Sequence, residues 1–272
     1  MRICLAGAEY RSAGMKPLRP APGCVIDELR AMLKTSLILG AIAALADVAG
    51  GLVLVRARGV DRYLRYFVAL GAGFLMSTAL LEMTPESIRL SARLGPPLIM
   101  AGYCAMHLLE HTINAHFHYG EETHAGEFVS RHTGYSVLGG LGVHSLFDGV
   151  AIGSGFALSN WLGWLIFLAI LLHKAPEGFT MASVMLASGR SRATAFYSAV
   201  VLAAATLAGV LVIQLAPRWV PYGLPVSAGV ALYVAGTDLV PEVNREPGIR
   251  MALVFFAGVA GFLLLRTLLP QL

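Results

Sequence analysis

Residues 160–178 read NWLGWLIFLAILLHKAPEG. From Trp161 to Leu172 no side chain is charged, and the apolar run resumes beyond Gly178 to about residue 187. That length exceeds the roughly 20 residues of helix needed to cross a hydrocarbon core. Yet a histidine, a lysine, a proline and a glutamate sit inside the run. An ionisable residue in such a span costs several kcal/mol (about 2.5 or more) unless it is paired or faces a cavity, so His173, Lys174 and Glu177 mark a functional site.

The rest of the chain repeats the apolar pattern. Of its 272 residues 57% are hydrophobic and 13% charged, against about a quarter charged in soluble domains, and the mean hydropathy is +0.70. Apolar stretches between polar breaks give eight candidate spans, at about 35–55, 63–88, 96–114, 134–158, 160–187, 193–214, 222–243 and 249–269. The predicted fold class is therefore all-α, a polytopic membrane protein with eight transmembrane helices. A soluble enzyme is excluded. Nucleic-acid binding is excluded too, because the basic pI near 9.1 comes from arginines scattered through short loops rather than from one soluble patch. Three cysteines, Cys4, Cys24 and Cys104, have no close spacing and offer neither a disulfide framework nor a thiolate zinc site.

The transmembrane domain covers 35–272, with one longer polar loop at 115–133. Residues 1–34 form a polar tail without the apolar core of a signal peptide, and Met32 reads as an alternative start, which would put most of the tail outside the native protein. Orientation follows lysines and arginines near the span ends. Arg56, Arg58, Arg62, Arg65, Arg131, Arg190, Arg192, Arg245 and Arg250 fall on one side, against Arg89, Arg93, Arg218 and Arg266 on the other. That balance puts the 115–133 loop in the cytoplasm and the termini outside, with the tail's own charges pulling the other way. Short loops suit an integral, multi-pass protein of a prokaryotic cell (inner) membrane.

Span four carries His144-Ser145-Leu146-Phe147-Asp148, and span five carries His173-Lys174-Ala175-Pro176-Glu177. Each is a histidine followed four residues later by a carboxylate, which stacks both side chains on one helix face, one turn apart. Both pairs lie deep in their spans. Two imidazoles and two carboxylates converging there suit a divalent transition metal, since borderline ligands favour zinc and its neighbours over calcium or magnesium. Pro176 frees the Leu172 carbonyl and kinks span five, as helices lining a cavity tolerate.

A second regularity links spans two and seven: Glu82-Met83-Thr84-Pro85-Glu86 and Asp238-Leu239-Val240-Pro241-Glu242. If spans one to three and six to eight are repeats around a central pair, these segments are counterparts crossing in opposite directions, which is a 3+2+3 inverted repeat. Pro-Glu as a plain helix end is the competing explanation. Span three closes with His107-Leu108-Leu109-Glu110-His111, and the loop adds His116, His118, Glu121, Glu122, His124, Glu127 and His132. This tract reads as a loose metal-capturing loop or as a solvated polar one. His107, Glu110 and His111 also match the H-x-x-E-H pattern of an intramembrane zinc metalloenzyme, and a metal-sensing membrane protein is a further alternative. Asp47, a lone acid in span one, reads as a proton site, a helix–helix hydrogen bond or a packing residue, with packing preferred.

The segments HSLFDGVAIG at 144–153 and HKAPEG at 173–178 resemble the signature fourth and fifth helices of the ZIP (Zrt/Irt-like protein) family of divalent metal transporters, and GVALYVAGTDLVPE at 229–242 extends the resemblance. The resemblance implies import of zinc or a related divalent metal, as transported substrate, into the cytoplasm. It also implies a 3+2+3 bundle in the bilayer, an elevator-like motion and a homodimer. By position His144, Asp148, His173 and Glu177 are the primary metal site. Ser145 and Lys174 occupy positions that hold a second metal in binuclear relatives, so a single-metal site is expected, with Lys174 pairing with Asp148 or Glu177 when the site is empty. Met83, Glu82 and Glu86 are the candidates for the second-helix contact, and Asp238 and Glu242 for the path.

Overall fold

The computed structural model describes residues 22–56, 61–113, 131–245 and 248–268. Among them there is helix and no strand. Span one is α1 (Pro22–Arg56). Span two is α2 (Asp61–Thr78), a π-helical turn (Ala79–Met83) and α3 (Thr84–Leu90). Spans three to six are α4 (Gly95–Ile113), α5 (Arg131–Leu158), α6 (Asn160–Ala187) and α7 (Arg192–Leu215). Span seven is α8 (Val220–Tyr233), a second π turn (Val234–Leu239) and α9 (Val240–Arg245), and span eight is α10 (Arg250–Leu268).

All eight expected spans thus occur as helices, with two differences. Within the described residues the first helix reaches back to Pro22, inside the segment read as a tail. Secondly, among the described residues seven helical stretches are long and apolar enough to cross a membrane. The remaining one, α4, is diluted by Pro96, Pro97, His107, Glu110 and His111 within its 19 residues.

Local chemistry sets the ends of the central helices. The Ser159 and Ser191 hydroxyls accept from the backbone N–H groups of Leu162 and Thr194, both at 3.1 Å, capping α6 and α7. Past the end of α6, Gly189 takes φ +72°, which lets the Arg190 N–H reach back to the Met185 carbonyl at 3.0 Å. The π turns have a common cause. Pro85 and Pro241 cannot donate, and their rings crowd the preceding turn. In each case the residue just before the proline donates five residues back instead: Thr84 to the Ala79 carbonyl, Val240 to that of Ala235.

Glycines dictate which helices meet. A Cβ at Gly178 would overlap the Asp47 carbonyl, and one at Gly50 that of Ala175, so spans one and five touch backbone to backbone. Gly149 and Gly209 do the same for spans four and six, Gly73 and Gly258 for two and eight, and Gly102 and Gly229 for three and seven. Small residues are what let helices in lipid approach this closely. Spans four and five also pack on each other, which brings their two polar motifs together.

Candidate metal site

Each motif histidine lies thirteen residues into its helix, 131 to 144 and 160 to 173, and each helix has 28 residues. The two are therefore at the midpoints, about 20 Å from either end at 1.5 Å per residue, and the helical register sets Asp148 one turn beyond His144 and Glu177 one turn beyond His173. His144, Asp148, His173 and Glu177 are all buried. One ligand atom from each lies within 4.8 Å of all the others, and among the described residues no other group of three or more His, Cys, Asp or Glu does so.

Asp148 is the hub. Its Oδ2 lies 3.3 Å from Nε2 of His144, 3.3 Å from Nε2 of His173 and 3.0 Å from Nζ of Lys174. Glu177 Oε2 accepts from Lys174 at 2.8 Å and is 3.7 Å from Nε2 of His144. Ser145 donates to Glu177 Oε1 at 2.5 Å and accepts from Lys174 at 2.9 Å. Lys174 thus reaches both carboxylates at once, where the sequence offered one or the other.

The imidazole of His173 has its tautomer fixed by a backbone partner. Its Nδ1 is 2.9 Å from the Ala169 carbonyl, and a carbonyl can only accept, so Nδ1 carries the proton. Nε2 is then the ring nitrogen that faces the cluster, 3.3 Å from Asp148 Oδ2, and a backbone partner on the other nitrogen is what metal-ligating histidines use. The donor set, two imidazole nitrogens and two carboxylates in a buried pocket, fits a borderline divalent cation.

The other residues singled out from the sequence have separate surroundings. Met83 is buried and borders a small cavity that also touches Asp148, Leu75, Thr78 and Ser227. Glu82 and Glu86 turn to cations instead: Glu82 to Arg266 at 2.9 Å, Glu86 to Arg89 at 2.6 Å. Glu242 pairs with Arg245 at 3.4 Å. Around the second π turn, Tyr233 donates to Glu110 at 2.9 Å, and Thr237 donates to Asp238 at 3.2 Å. His107 and His111 stack at 4.1 Å between ring centroids at the protein surface. His116, His118 and His124, with the rest of the 115–133 tract up to residue 130, lie outside the described residues.

Asp47, for which the sequence favours packing over a polar role, sits beside the cluster. It is fully buried, and its Oδ2 is 3.6 Å from Nζ of Lys174. Charge arithmetic could have suggested it: a lysine between two candidate ligand carboxylates cancels one of them, and the only other acid in the apolar stretches 35–55, 134–158 and 160–187 is Asp47.

Comparison with known proteins places the chain in a family. The family model described as ZIP Zinc transporter matches residues 121–266. The mouse (Mus musculus) protein named Zinc transporter SLC39A7 is 31% identical over 166 residues, covering 56% of this chain and 34% of that protein. Zinc transporter ZIP9 of Xenopus tropicalis is 25% identical over 245 residues, 71% of this chain and 80% of the relative. Zinc transporter ZIP9 of Micropogonias undulatus is 30% identical over 168 residues, 57% and 53% respectively. The chain spans about a third of the length of the first of these relatives, and most of the second.

Proposed function

The chain belongs to the ZIP zinc transporter family, a family of transporters rather than enzymes, and from that premise we propose that it moves a divalent transition metal, zinc foremost, into the cytoplasm. The cargo passes through the site made by His144, Asp148, His173 and Glu177. The observation that carries this reading is the convergence of four potential ligand atoms within 4.8 Å, all buried. A dication there meets two carboxylates and two neutral imidazoles, and no thiolate that would favour softer ions. Lys174, 2.8 and 3.0 Å from the two carboxylates, holds the empty site together and keeps a second cation out. The H-x-x-E-H reading finds no support, since His107, Glu110 and His111 do not bring ligand atoms together as the four central residues do.

An inverted repeat provides the path. Its support is that the pairing of span one with five mirrors that of six with four, that of two with eight mirrors seven with three, and that π turns interrupt spans two and seven alike. Broken helices beside a substrate site are a transporter feature. Met83 contributes to the wall of the path beside Asp148, and His116, His118 and His124 capture metal on the cytoplasmic side.

Equilibrium dialysis of the purified chain against zinc should give one tightly held ion per chain. Cells expressing it should accumulate radiolabelled zinc faster than cells expressing a His173→Ala variant. Tight binding with unchanged accumulation would point to a sensor, and faster loss of zinc would reverse the direction. Two tightly held ions per chain would remove the role given to Lys174.

A further inference from the structure

The carboxylate of Asp47 is left unused by the proposed metal shell, and its surroundings are unusual. It is fully buried in α1, and neither oxygen has a hydrogen-bond partner. Its cationic neighbour is Lys174, whose Nζ stands 3.6 Å away, beyond the reach of an ordinary hydrogen bond. The ammonium donates to Ser145 at 2.9 Å and to Glu177 at 2.8 Å, and it forms an ion pair with Asp148 at 3.0 Å.

Two of those three partners are proposed metal ligands. A dication that takes their oxygens strips the ammonium of two partners and places two positive charges beside it. A buried ammonium without partners is costly, and the anion still open to it is Asp47. A movement of about 0.7 Å brings Nζ to the usual N–H···O distance of roughly 2.9 Å. Asp47 itself is held in place, because Gly50 and Gly178 lock the backbone of α1 onto that of α6 on either side of it. Charge points the same way. In their ionised forms Asp47, Asp148 and Glu177 supply three negatives against one ammonium, so a divalent cation brings the cluster to neutrality. Without Asp47 the loaded cluster would be left with a buried excess positive charge.

We infer that Asp47 is a positioning residue of the transport site: it is the counter-ion that takes over Lys174 when a divalent cation displaces the ammonium from Asp148 and Glu177. This rests on the metal-site reading above. Lysine and metal then compete for the same two carboxylates, and Asp47 sets how readily the lysine yields.

The test is zinc titration of the purified full chain in detergent, with folding checked by gel filtration, across the intact chain, Asp47→Asn, Lys174→Gln, the double variant and His144→Ala/Glu177→Ala. Asp47→Asn should weaken zinc binding at least about tenfold, because the displaced ammonium has nowhere to go. Removing the lysine as well should restore affinity to within about threefold of Lys174→Gln alone. A residue needed only for packing would be missed equally in both backgrounds. Asp47→Asn binding as the intact chain does, or a double variant tenfold weaker than Lys174→Gln, overturns the inference. Should Asp47→Asn alone fail to fold, the double variant decides: folded and within about threefold of Lys174→Gln it supports the switch, unfolded or tenfold weaker it refutes it. Unchanged binding by His144→Ala/Glu177→Ala would instead sink the site reading, and this inference with it.

Discussion

Asp148→Asn should lower zinc affinity by about a hundredfold while leaving the helix bundle folded. The amide keeps the shape of the carboxylate but removes the charge on which both imidazole Nε2 atoms and the Lys174 ammonium converge, at 3.3, 3.3 and 3.0 Å. Breaking a buried, hydrogen-bonded charge cluster costs about 3–5 kcal/mol, or two to three and a half decades at about 1.4 kcal/mol per tenfold. Lys174 loses the same oxygen in the empty protein, which offsets part of the loss, so the lower end applies. Isothermal titration with zinc reads the effect. An affinity within threefold of the intact chain would place the ion away from the hub.

The second large effect is structural. Gly178→Val should lower the melting temperature by on the order of 6–12 °C, whereas Gly139→Ala should leave it level or raise it slightly. A Cβ at 178 overlaps the backbone of Asp47, which cannot swing aside as a side chain would, so α1 must lift off α6. Overpacking costs about 1–3 kcal/mol where side chains can adjust; here the upper figure applies, and about 2–4 °C per kcal/mol is usual for a chain of this size. Gly139 is exposed and meets nothing within 4 Å. Alanine there gains up to roughly 1 kcal/mol of helix propensity. Thermal unfolding in one detergent decides between them. Equal shifts for the two variants would mean that the backbone contact between spans one and five does not hold the bundle together.

The spans were legible because length and hydropathy suffice to identify a helix that crosses lipid. The stacking of His144 on Asp148 and of His173 on Glu177 was legible because a spacing of four has one meaning on a helix. Three features were not. The π turns depend on how the chain accommodates Pro85 and Pro241, and apolar periodicity alone does not separate a widened turn from a kink or a helix end. The closeness of Asp47 to Lys174 depends on which glycine meets which backbone across spans one and five, a tertiary fact. The ion pair of Glu82 with Arg266 joins span two to span eight, and no local pattern announces a partner so far along the chain. For the site, residue types and register pointed to the four proposed ligands. The lysine's several partners required the fold.

The central claim, that metal crosses the membrane by way of spans four and five, is tested most directly by time-resolved zinc influx into proteoliposomes carrying a zinc-sensitive dye. Intact chain is compared with a His144→Ala/Glu177→Ala variant that elutes as a folded species. The expected result is saturable influx through the intact chain and only the protein-free leak through the variant. Saturable influx at the same rate through both would contradict the account.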